Sequence, residues 1–143
     1  MGIKERWRGT KPLPADINFK IEGLSRLFEE KGVLLAYLFG SFARCGGGED
    51  LDLAVLPGRD NFPELWEVVL DHLGSERFDL VNLENAPLGL QFEIIRTGKL
   101  LYRRSIEIEN DYELRVMKMY QDSEPIRRRQ HETFKKRLKE RWS

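Results

Sequence analysis

A chain of 143 residues has room for one domain with a single core and is too short for two well-buried ones. Charged residues reach 34%, above the usual share of about 25%, yet 24 basic and 24 acidic side chains cancel, so no global field selects nucleic acid or a membrane. A single cysteine excludes an intrachain disulfide and a cysteine-based zinc cluster; with no apolar run of about 18 residues and no leader pattern, the expected compartment is the reducing cytoplasm.

In chain order, residues 1–15 form a basic N-terminal extension. Lys4, Arg6, Arg8 and Lys11 against Glu5 give residues 1–14 a net +3. Ile17, Ile21, Leu24, Leu27 and Phe28 then recur at helical spacing over 16–30, with Gly32 as a stop. Residues 33–39 are apolar throughout, as a strand buried on both faces would be. A turn and short helix follow over 40–45, then a strand over about 50–56 that Pro57-Gly58 breaks. Asn61 is placed to cap a helix at 62–73, with Pro63 in its first turn, Gly74 after it, and Leu65, Trp66, Val69, Leu70 and Leu73 on its apolar side. His72, in its last turn, reads as structural. A third strand is expected at 78–83, a helix from about 87 to 97 ended by Gly98, and a short extended segment from Leu100 to Arg103. Residues 105–141 read as mostly helical, broken near Pro125. The expected fold is therefore α/β, a small mixed sheet flanked by helices with a C-terminal helical extension.

Chemistry concentrates in one strand–turn–strand unit. Gly40-Ser41 closes the first apolar run, where free backbone N–H groups and a hydroxyl can face an anion. Asp50 and Asp52 open the next strand; at i and i+2 they point to one face, roughly 6.5–7 Å apart along it, a spacing suited to one or two Mg²⁺ ions. A phosphate cradle beside metal-binding carboxylates reads as chemistry on a nucleoside triphosphate. Asp79, at the start of the third strand, can join the metal site or take a proton from an attacking hydroxyl. Arg44 shares a helical face with Ser41, able to pair with phosphate or to hold the loop through a salt bridge. Cys45 reads as a small loop residue, with no histidine near it in sequence.

At these residues the chain resembles the minimal nucleotidyltransferases, small members of the DNA polymerase beta superfamily. Their signature, Gly-Ser, a spacer and Asp-x-Asp, stands here over residues 40 to 56. The likeness continues through Phe78-Asp79-Leu80-Val81-Asn82-Leu83, Ala86-Pro87 and Gly98-Lys99-Leu100-Leu101-Tyr102, covering roughly residues 16 to 104. Two departures stand out: the spacer is shorter than the family's usual one, and Cys45 and Glu49 occupy positions where Gly and Ser are common. The triple glycine Gly46-Gly47-Gly48 is expected to absorb the shortening.

The resemblance implies a nucleotidyltransferase domain over 16–104, with 105–143 as a helical extension of it. It implies Mg²⁺ held by Asp50, Asp52 and Asp79, a triphosphate seated by Gly40, Ser41 and Arg44, and AMP transferred from ATP to a hydroxyl. Family members of this size are commonly antitoxins that adenylylate a HEPN toxin encoded beside them, so the implied acceptor is a tyrosine of such a partner. Two alternatives belong to other classes: an antitoxin that acts by binding alone, and an adenylyltransferase for small molecules such as aminoglycosides. All three carboxylates are present, which argues against a decayed site. A homo-oligomer is compatible with the chain. Residues 126–143 carry eight basic side chains against Glu132 and Glu140, a net +6, which leaves the middle of the chain at −9. Such basic ends suit an acidic partner or a phosphate backbone; the reading favoured is that they are solvated or fold back on the acidic body.

Overall fold

The structure, a computed structural model, describes residues 12–58 and 62–142. Its elements in chain order are α1 (Ile17–Glu30), β1 (Leu35–Phe39), α2 (Gly40–Cys45), β2 (Leu51–Leu56), α3 (Phe62–Leu73), β3 (Phe78–Asn82), α4 (Leu88–Thr97), β4 (Lys99–Arg103), α5 (Ile106–Asp122) and α6 (Glu124–Trp142). The four strands form one sheet in the order β3-β2-β1-β4. β1 runs antiparallel to both β2 and β4, while β2 and β3 are parallel, joined by the α3 crossover. The mixed sheet expected from the apolar runs is thus present. β1 is shorter at its start than the apolar run 33–39, although Leu34 N–H still donates to the Leu56 carbonyl at 2.9 Å.

Strand alternation divides the core in two. Ala36, Leu38, Leu51, Leu53 and Val55 face α1 and α3, which return Ile21, Leu24, Phe28, Leu65, Val69 and Leu73. Leu35, Tyr37, Ala54 and Leu56 face α4 and α5, met by Ile94, Tyr112 and Val116. β1 and β2 are therefore covered on both sides, as the uninterrupted apolar composition of β1 and the apolar run of β2 after Asp52 require. Each fully buried Leu, Val or Phe contributes ~1.5–3 kcal/mol by leaving water. Trp66, expected on the apolar side of α3, lies at its margin, 37% exposed and tilted against Phe78 at 5.5 Å. Asn61, the expected cap of α3, lies outside the described residues. His72 is structural: its Nε2 sits 2.7 Å from the Lys20 carbonyl and ties α3 to α1.

Two phenols bind the second layer together. Tyr37 in β1 donates to Glu113 Oε1 at 3.0 Å, and Tyr112 donates to Gln91 Oε1 at 2.8 Å. Burial, then the neighbouring Glu113 carboxylate, hold the Tyr37 phenol far above its ordinary value, and burial raises Tyr112 likewise. Both stay neutral in the folded chain, whereas the unfolded chain ionises them near pH 10. Their stabilising effect is complete below about pH 10 and is lost as pH rises beyond it. The melting temperature is therefore expected to fall above about pH 10, and less steeply in Tyr37→Phe. At neutral pH that variant costs about 0.5–1.5 kcal/mol; calorimetric scans across pH check both.

Ser105 caps α5, its hydroxyl accepting from Ile108 N–H at 3.2 Å. The C-terminal helical segment breaks near Pro125 as expected, at Ser123, and Pro125 sits in the first turn of α6, where a proline lacks only an N–H that has no intrahelical partner. Arg127 fixes this elbow. Its guanidinium donates to the Tyr120 carbonyl at 2.7 Å and to Ser123 Oγ at 3.0 Å, and lies 3.7 Å from the Tyr120 ring centroid. Tyr120 stacks in turn on Phe92 of α4 at 3.9 Å.

Candidate nucleotide and metal site

Sheet register decides where the acidic residues meet. β1 ends where β2 begins, with Phe39 opposite Asp52, so the Gly40-Ser41 turn and the aspartates share one end of the sheet. The parallel pairing of β2 and β3 sets Asp79 directly beside Asp52. Since Leu51 and Leu53 point into the α1/α3 core, Asp50 and Asp52 project to the opposite side by alternation. Asp50 precedes the first paired residue of β2 and is buried, whereas Asp52 and Asp79 are half-buried. One carboxylate oxygen from each of the three lies within 4.8 Å of the others.

Three like-charged oxygens so close repel one another, and a cation between them removes that repulsion. The donors are all hard oxygens with no thiolate or imidazole among them, which suits Mg²⁺ and gives little to softer metals. On donor chemistry and spacing the residues present fit the ion.

Gly40 is bound to this cluster in a way its sequence context did not reveal. Its φ of 76° lies in the left-handed region, and a Cβ built there would collide with Asp52 Oδ2. The residue that opens α2 is therefore small because a carboxylate of the acidic group occupies the adjacent space. The sequence signal was only a glycine at a strand–helix turn. Gly40→Ala is expected to push the Asp52 carboxylate aside and strain the turn, weakening Mg²⁺-dependent nucleotide binding by roughly tenfold or more, the cost of about 1–3 kcal/mol that a strained backbone position carries. Titration calorimetry measures it.

Ser41 and Arg44 are exposed on α2, three residues apart, beside the acidic group in the chain path. The salt bridge that would make Arg44 a loop brace is not formed with any described residue. Of the three loop glycines, Gly46 alone adopts a left-handed conformation, ending α2 with its N–H on the Phe42 carbonyl at 2.9 Å. Gly48 passes Ser41 Oγ, which a Cβ at that position would approach to 3.7 Å. Cys45 is exposed at the end of α2.

The family model described as polymerase beta, nucleotidyltransferase matches residues 22–107. Among solved structures, the chain is similar to a complex of a tri-AMPylated Shewanella oneidensis HEPN toxin with an MNT antitoxin, at 25% identity and TM-score 0.65, covering 82% of this chain and 97% of that one. It is similar to a toxin–antitoxin structure with AMP-PNP at 26% identity and TM-score 0.65, covering 80% and 97%. A toxin–antitoxin MntA–HpeT mutant is 30% identical with TM-score 0.64, covering 82% and 96%. A search of curated proteins gives no match. The nucleotidyltransferase-type fold and the resemblance on which it was expected are both borne out.

Proposed function

We propose, from the premise that this chain belongs to the polymerase beta nucleotidyltransferase family, that it transfers AMP from ATP to a tyrosine hydroxyl of a HEPN-family partner protein and acts as the antitoxin of that pair in the cytoplasm. The observation that carries the reading is the meeting of Asp50, Asp52 and Asp79 at the sheet end where Gly40-Ser41 turns. The solved relatives support the partner and the nucleotide: one complex holds an AMPylated HEPN toxin, another AMP-PNP. No helix among the described residues is long and apolar enough to cross a membrane, which agrees with the compartment.

In this reading residues 16–104 are the catalytic unit and 105–143 its helical extension. Asp50 and Asp52 would hold Mg²⁺, with Asp79 completing the set; a bound ion would supply positive charge against the charge that develops on the transferred phosphoryl group and on departing pyrophosphate. Ser41 presents its hydroxyl and the turn presents backbone N–H groups to the β- and γ-phosphates, while Arg44 pairs with the same phosphates. Asp79 accepts the proton of the acceptor hydroxyl as its oxygen attacks the α-phosphorus in line; the bond to pyrophosphate breaks and no covalent enzyme intermediate forms. A phenol suits this role because its pKa of about 10 is low among hydroxyls. The AMP added places charge and bulk at the partner's own site.

Incubation with ATP, Mg²⁺ and the HEPN-family protein encoded beside this chain tests the proposal by intact mass. The expected result is a gain of one or more AMP units on the partner, lost with Asp50→Asn. A tight complex without a mass gain would instead favour neutralisation by binding alone. Labelling of aminoglycosides with the partner untouched would favour the small-molecule class.

A further inference from the structure

The transfer proposed for the acidic site has a direction across the sheet. An in-line displacement keeps the attacking and leaving oxygens on opposite sides of the phosphorus. The strand order β3-β2-β1-β4 lays out the parts in that sense. The Gly40-Ser41 turn leaves β1, Asp50 and Asp52 stand at the start of β2, and Asp79 stands on β3 at the edge of the sheet. With the phosphates of ATP seated at the β1 turn, the acceptor enters from the β3 side.

A cation is mounted on that side. Arg77 immediately precedes β3, and no other basic residue lies between His72 and Arg96. Its carbonyl accepts from Leu51 N–H at 2.9 Å, which carries the β2–β3 ladder one step beyond the Leu51–Phe78 pair and sets Arg77 level with Asp50. Alternation gives its face. Phe78 and Leu80 pack in the α1/α3 core while Val81 meets the α4/α5 layer, so Arg77 shares with Asp79 the side of the sheet that Asp50 and Asp52 occupy. Two residues apart, Arg77 and Asp79 are roughly 6.5–7 Å from each other along the strand, a span that an arginine side chain can cover. The N–H of Arg77 donates to Ser75 Oγ at 3.2 Å, and Ser75 is buried, so both backbone groups of Arg77 are tied. The residue is half-buried. A guanidinium on so fixed a base presents its planar fork of donors at a defined place, unlike a solvated surface charge.

We propose that Arg77 is an acceptor-binding residue of this site: its guanidinium donates to the phenolic oxygen of the acceptor tyrosine as Asp79 takes the hydroxyl proton. That oxygen forms its bond to the α-phosphorus while the bond to pyrophosphate breaks. This role rests on the AMP-transfer reading of the site and adds to it a group that favours phenols over other hydroxyls. A charged donor stabilises an oxygen that becomes anionic on losing its proton, and a phenol, with a pKa of about 10, reaches that state more readily than an aliphatic hydroxyl. Arg44, on α2 at the β1 side, is the counterpart for the phosphates.

Arg77→Met and Arg77→Lys, assayed as full chains with ATP, Mg²⁺ and the HEPN-family protein encoded beside this one, test the role. In Arg77→Met, kcat/KM for the partner is expected to fall by roughly 10–100-fold, the effect of one lost hydrogen bond to a charged group, while Mg²⁺-dependent ATP affinity holds. Arg77→Lys keeps the charge without the fork and is expected to recover part of the rate. Unchanged transfer in Arg77→Met overturns the proposal. An equal loss of ATP affinity also overturns it and assigns Arg77 to the phosphates. So does a lowered melting temperature with no recovery of transfer in Arg77→Lys, which makes Arg77 a brace for the acidic group. In each of these cases the wild type still transfers AMP and the reading of the site stands; a wild type that transfers none to the partner overturns both together.

Discussion

Asp52→Asn is expected to abolish Mg²⁺-dependent ATP binding and turnover while leaving the circular dichroism spectrum unchanged. Asp52 sits at the centre of the acidic group, opposite Phe39 on one side and beside Asp79 on the other. Loss of residues that merely orient metal ligands typically costs 10–100-fold in affinity, so loss of a ligand's charge here is expected to cost roughly 100-fold or more. The amide keeps the carboxylate's shape against Gly40, where the fit is tight, and removes one of three mutually repelling charges. Folding stability is accordingly expected to hold or rise slightly. Calorimetry with ATP in the presence and absence of Mg²⁺ gives the answer; equal affinity and turnover in mutant and wild type would refute the site assignment.

Asp79→Asn separates proton acceptance from metal binding. If the β3 carboxylate acts chiefly as the base, turnover drops by roughly 10²–10⁴-fold while ATP affinity falls far less. Equal loss of both would make Asp79 mainly a metal ligand, and wild-type turnover would leave it a structural acid. Single-turnover measurements at saturating ATP, with binding measured separately, distinguish these results because kcat and affinity then report different steps.

Much of this architecture could be read from local chemistry. The uninterrupted apolar run 33–39 announced β1 because a strand covered on both faces has no polar side to alternate with. Gly98 and Gly74 marked helix ends that the structure keeps. What local chemistry could not supply was pairing across the chain. Asp79 was legible as an acid near the start of a strand, but its place beside Asp52 depends on β2–β3 register, which the intervening α3 sets through packing. The role of Gly40 was hidden for the same reason, since its neighbour is a side chain from another strand. Pro125 pointed to a break near it in the last helical segment, and the break is there, at Ser123, with Pro125 in the first turn of the next helix where proline is tolerated. Net charge located a basic C-terminus, and the exposure of every residue from Arg128 to Arg141 agrees with the expectation that it is solvated.

The α3 crossover has a consequence for the order in which activity arises during folding. Asp50, Asp52 and the Gly40-Ser41 turn belong to one β1–β2 hairpin, whose short closure makes it fast to form. Asp79 arrives only when the chain has passed through α3 and paired β3 in parallel, a slower and more distant closure. A nascent chain that has emerged as far as Leu56 therefore holds two of the three carboxylates. On the proposed mechanism, turnover in a newly made molecule waits for the β2–β3 pairing, since only that pairing brings the third carboxylate to the other two.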